Sequence, residues 1–291
     1  MITTLLVSAV VLLGQADAVP TGDATLTVNL DGTRLKVFTY KPKSFDQGPM
    51  LLVFHGTDRN AVDYRNDARG MAQRFGALVV APEFDRERFP NARYNRGGLL
   101  RDDGTAAPRS EWTWSLIPKL AERLSQREGR PGMPYYLIGH SAGGQFVERL
   151  AAFVPTGAAG AVVANAGVHL FPTRALPFSF GFGDLPEPIS NDAQIRHYLA
   201  QPLTIYLGTA DTVRDDDFYT DDVADRQGRN RLERGRNAFQ AARTLAKDKG
   251  WSFGWRLVEA AGVGHDHQAM FDNPQCAVAL FGDRSIPVKA R

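Results

Sequence analysis

Short apolar runs alternating with helix-length amphipathic segments predict an α/β fold, with a mainly parallel central sheet flanked by helices on both faces. Two observations carry that expectation. Residues 50–56, MLLVFHG, form a continuous apolar run without alternation, the pattern of a strand buried on both faces. The pattern returns in ALVVAPE from Ala77, YYLIGHS from Tyr135, GAVVANAG from Gly160 and LTIYLGTAD from Leu203, with a last strand in WRLVEAAGVGH from Trp255.

The elements follow in order. ATLTVNL and TRLKVFTY alternate polar and apolar residues and are split by Asp31-Gly32, which reads as a hairpin and adds an antiparallel N-terminal edge. YRNDARGMAQRFG reads as a helix ended by Gly76. WSLIPKLAERLSQREG reads as another, with Pro118 tolerated in its first turn. A third is expected in RNRLERGRNAFQAARTLAKDKG, beginning at Arg229. Two stretches fit no element, 83–111 and 168–201. Insertions of that length in a compact domain tend to be functional or mobile. The second holds Phe171, Phe178, Phe180 and Phe182, and Trp112 and Trp114 lie just past the first. Core packing is the default for such aromatics, although a substrate wall is open to them.

The chain has 291 residues, 43% hydrophobic and 23% charged, a globular balance. Its net charge is +2, with no long Lys/Arg run, so nothing points to nucleic acid or an anionic membrane. Residues 1–18 carry an apolar core and then Ala16-Asp17-Ala18, the pattern of a cleaved export signal and too short for a membrane span. One domain over 19–291 is expected after it, periplasmic or secreted if the signal is cleaved and cytoplasmic otherwise. Cys276 is the single cysteine, so no internal disulfide forms, and a small buried hydrophobe is its expected role.

Chemistry enters at Gly139-His140-Ser141-Ala142-Gly143, between an apolar strand and a helix. A serine on a tight strand-to-helix turn holds its hydroxyl clear of the backbone, and glycines two positions either side relieve clashes. Such an elbow requires an acid and then a histidine, each after a later strand. Asp211 follows one such strand and His265 another; Asp215, Asp216 and Asp217 compete with Asp211. The imidazole would take the serine proton and the acid would orient it. Developing negative charge would be met by the N–H groups of Ala142 and of Thr57, after His55-Gly56. A histidine base predicts activity falling as an imidazole protonates, ordinarily near about 6.5.

VFHGT, IGHSAGG, GTAD and GVGHD together make the chain resemble the α/β-hydrolase superfamily, specifically exported serine esterases of the polyhydroxyalkanoate-depolymerase and feruloyl-esterase kind. The resemblance implies acyl transfer to water through an acyl-enzyme, with a small or polymeric ester as substrate and no cofactor. Many exported relatives are stapled by disulfides, which this chain cannot form. Other readings are a serine peptidase or amidase on the same fold, a lipase capped by 168–201, and a binding module without catalysis. A metal site at His265 and His267 is disfavoured, because His169 and His197 stand apart in sequence.

Overall fold

The computed structural model describes residues 18–282, so the expected export signal lies, apart from Ala18, outside the described residues. One sheet of eight strands runs in the order β1-β2-β4-β3-β5-β6-β7-β8. Strands β1 (Gly22–Leu30) and β2 (Thr33–Lys41) form the antiparallel edge, and β2 pairs antiparallel with β4 (Leu78–Pro82). Asp31 and Gly32 both take positive φ, 50° and 89°, as the tight turn between twisted strands demands. From there β3 (Met50–Phe54), β5 (Tyr135–His140), β6 (Gly160–Ala164), β7 (Leu203–Gly208) and β8 (Arg256–Ala260) continue in parallel.

The unbroken apolar runs have the expected cause. Every residue of β3, β4, β6 and β7 is buried. Along β3, Met50, Leu52 and Phe54 enter one core, while Leu51 and Val53 enter the other. The first core lies beneath α3 (Leu116–Arg127), α4 (Ala142–Phe153), α5 (Asp192–Ala200) and α7 (Arg231–Lys249). The second lies beneath α1 (Ala61–Asp67), α2 (Arg69–Phe75), α8 (His267–Asp272) and α9 (Gln275–Phe281).

Some boundaries differ from expectation. The helix expected from Tyr64 is two short ones, α1 beginning three residues earlier, and Gly76 ends α2 in the left-handed conformation (φ 57°). The 168–201 stretch is not all loop: Asn191 caps α5 by accepting the Gln194 N–H. A short α6 (Asp222–Gln227) is capped by Asp221. In α5 the buried Ile195, Tyr198 and Leu199 stand at helical spacing, while α6 holds few apolar residues and its cap is the clearer signal. The aromatics of the insertions are mostly core, with Trp114 and Phe182 at 0% exposure. Cys276 is buried against Met71, and burial pushes its thiol up to about 12, which keeps it protonated and inert.

Candidate active site

Strand β5 ends at His140 and α4 begins at Ala142, leaving Ser141 on the turn between them. Its backbone sits at φ 56° and ψ −119°, a conformation non-glycine residues avoid at a cost of about 1–3 kcal/mol. An ordinary N-cap serine has extended backbone and accepts the first N–H groups of its helix. Ser141 does neither; its side chain makes no capping bond. The glycines around it are steric requirements. A Cβ on Gly139 would overlap the Gly143 backbone, and one on Gly143 would overlap the Phe54 and His55 carbonyls at the end of β3. The elbow is thus wedged between its own helix and the neighbouring strand.

The candidate acid and the candidate base come from the two strands beyond. Asp211 lies three residues past β7, almost wholly buried, and its Oδ2 is 2.8 Å from His265 Nδ1. His265 lies five residues past β8 with its side chain 21% exposed, so its ring closes over the acid while staying open to the surface. The ring centre is 4.5 Å from that of His140, the residue before Ser141. Between the competing acids the geometry is unambiguous. Asp215 is taken by Arg231, through hydrogen bonds of 2.8 and 2.6 Å, while Asp216 and Asp217 are exposed. Arg231 also stands 3.5 Å from Asp211 Oδ1, so a buried cation backs the acid's other oxygen. Gly208 has a reason too, since a Cβ there would overlap the Val263 carbonyl and push the acid turn from the histidine loop.

Ala142 follows Ser141 in the chain, and Thr57 follows Gly56, which lies near the serine. A Cβ on Gly56 would come within 3.8 Å of Ser141 Cβ, so the strand end bearing Thr57 passes directly beside the serine. The orientation of that peptide is set from behind. Phe84 N–H donates to His55 Nε2 at 3.1 Å, which leaves the imidazole proton on Nδ1, 3.1 Å from the Gly56 carbonyl. Holding that carbonyl one way aims the Thr57 N–H of the same planar peptide the other way. Burial, more than any other influence, brings His55 down to about 4 and keeps the ring neutral.

No family model matches the chain, and no curated protein matches it either. Solved structures do. The chain is 32% identical to poly(aspartic acid) hydrolase-1 from Sphingomonas sp. KT-1, over 87% of this chain and 96% of that one, with a TM-score of 0.82. It is 31% identical to LpqC, a poly(3-hydroxybutyrate) depolymerase from Bordetella parapertussis, over 89% and 90% of the two chains, also at TM-score 0.82. The chain belongs to the α/β-hydrolase superfamily. An S-formylglutathione hydrolase from Agrobacterium tumefaciens, 18% identical over 88% of this chain and 93% of that one, shares the fold at TM-score 0.51.

This α/β-hydrolase also surrounds its candidate triad with polar residues whose placement the sequence did not show. His140 is fully buried; desolvation first, then the His265 and His267 imidazoles, hold it well below its ordinary range. Tyr64 Oη lies 3.3 Å from its Nδ1, and the Tyr64 ring stacks on His267 at 4.0 Å. His267 in turn meets Asp67 Oδ2 through its Nε2 at 2.8 Å. Asn165, one residue past β6, reaches toward both the acid turn and the histidine loop. Its one sequence signal is position: a polar residue at the carboxyl end of a buried parallel strand lies where such sheets carry their sites.

Proposed function

We propose that this hydrolase cleaves carboxylic esters by acyl transfer through Ser141, His265 and Asp211, and that it is exported. His265 takes the hydroxyl proton as Ser141 attacks the ester carbonyl. Asp211 orients the imidazole and stabilises its charged form, while the N–H groups of Ala142 and Thr57 face the oxyanion. The imidazolium then protonates the leaving alcohol, and water activated by the same base releases the acid from the acyl-enzyme. The observation that carries the reading is an uncapped serine at positive φ on the same sheet edge as an imidazole 2.8 Å from a buried carboxylate. A relative that is a poly(3-hydroxybutyrate) depolymerase favours an ester substrate. The relative that is a poly(aspartic acid) hydrolase supports a second reading, in which the same residues cleave amides.

The test is hydrolysis of nitrophenyl esters from acetate to palmitate, beside nitroanilides and poly(aspartic acid), by wild type and Ser141→Ala. Ester hydrolysis that Ser141→Ala loses by at least ~10³-fold supports the first reading. Amide cleavage with negligible ester turnover moves the second ahead. Activity that survives in Ser141→Ala overturns both.

A further inference from the structure

We propose that Asn165 is a positioning residue for catalysis, setting the placement of His265 against Asp211 from the end of the neighbouring strand; the proposal rests on the triad reading above. Asn165 is 1% exposed and stands at φ 43°. Asparagine tolerates that left-handed backbone better than most residues. Its Oδ1 accepts the Gly208 N–H at 2.8 Å, where β7 ends and the acid turn begins. Its Nδ2 donates to the Gly264 carbonyl at 3.1 Å, the peptide that leads into His265, and lies 3.5 Å from His140 Nε2. Its backbone N–H donates to Tyr206 O, and the preceding residue, Ala164, accepts the Ser141 N–H. One short side chain therefore joins the acid loop to the histidine loop, next to the strand end that holds the serine.

Other bonds between those loops leave this role open. Thr209 N–H reaches Ala260 and Ala210 N–H reaches Val263, so the loop is fastened up to Val263 by backbone pairing. Gly264 comes next, and nothing lies within 4 Å of where its Cβ would stand. The Gly264 carbonyl, which packs close to Gly208, is hydrogen-bonded by the Asn165 amide. The geometry needed for proton transfer is narrow, and a shift of about 1 Å costs about a hundredfold in rate.

The experiment compares wild type, Asn165→Gly, Asn165→Asp and Ser141→Ala. It measures kcat and KM on nitrophenyl acetate, with active sites counted by a phosphonate reagent, together with Tm and the low-field NMR resonance of the histidine Nδ1 proton. Glycine keeps the backbone conformation and removes both bonds, whereas aspartate keeps the acceptor for Gly208 and loses the donor to Gly264. Both variants are expected to lose about 10- to 100-fold in kcat per titrated site, with KM within about 3-fold and a broadened or missing low-field resonance. In Asn165→Asp the added carboxylate moves the acid limb of kcat/KM to higher pH. His265 is otherwise faced by Asp211 and His140, with His267 against His140 and with Arg231 and Asp215 behind the acid.

Variants that lose Tm but keep wild-type kcat per site and an intact resonance overturn the proposal, as does failure of both to fold. Ser141→Ala as active as wild type would instead sink the underlying function. An inactive wild type would leave the resonance to decide on positioning.

Discussion

The two long insertions look alike in sequence and are held in different ways. The 83–111 segment hangs from the end of β3 by neutral and cationic donors. Besides the His55–Phe84 bond, Arg59 donates to the Phe84 carbonyl at 2.9 Å, and Tyr94 Oη donates to His55 O at 2.7 Å while stacking on its ring. The 168–201 segment hangs from α4 by two adjacent charges. Glu148 accepts the Leu170 N–H at 3.1 Å and faces His169 Nδ1 at 3.0 Å, and Arg149 donates to Ser179 O at 2.8 Å. All of these side chains are buried. Each insertion is thus fastened to an element that carries part of the candidate site, the first to the Thr57 strand end and the second to the serine helix. Length alone suggested functional or mobile loops; the anchors make them fixed walls.

If the second wall depends on charge, removing one partner should be the most damaging change. Glu148→Ala strands His169 and the Leu170 N–H without water, and removing one member of a buried pair costs about 3–5 kcal/mol. Urea unfolding of wild type and variant measures it. A loss below ~1 kcal/mol would mean apolar packing, not Glu148, holds the segment.

The first wall should show itself in pH rather than in charge removal. His55 protonates at about 4 in the folded chain because burial disfavours its cation, against an ordinary 6.5. As pH falls, the unfolded chain takes up the proton first. The stability is fully present above about 6.5 and declines between about 6.5 and 4, by about 3 kcal/mol in all. In His55→Asn that part of the slope should vanish, while the contribution from buried His140, which has the same sign, remains. Denaturant midpoints at pH 7, 5.5 and 4.5 check this. An unchanged slope would mean that His55 titrates normally.

The strand and helix order was legible because burial on both sheet faces leaves unbroken apolar runs, and that signal needs no tertiary knowledge. Gly139, Ser141, Gly143 and the strand-end places of Asp211 and His265 were legible because a tight turn restricts which residues fit. Asp211 is the acid the sequence favours, but what withdraws its competitor Asp215 was not legible, since it depends on Arg231 reaching across from α7. The pairing of Glu148 with His169 was invisible for a related reason. They are 21 residues apart, meet only once the chain returns beneath α4, and a glutamate within a helix reads as solvent-facing until then. Asn165 was hidden at the end of an apolar strand, where a single asparagine resembles an ordinary turn residue.

The smallest effect distinguishes burial from mere pairing within the first insertion. Arg59 and Arg101 both bond to neighbouring parts of that region. Arg59 is 8% exposed and meets a buried carbonyl, so Arg59→Met should leave Phe84 O unpaired, at about 1–3 kcal/mol. Arg101 meets Glu111 at 3.3 Å with both side chains about half exposed, 48% and 55%. Water screens such a pair and side-chain entropy opposes it, so Arg101→Ala should change stability by no more than about 0.5 kcal/mol, less still in high salt. Urea unfolding at low and high ionic strength reads both variants. A loss of ~2 kcal/mol in Arg101→Ala would place the anchor of the first insertion at its outer rim, and the contrast with the charged clamp on α4 would no longer hold.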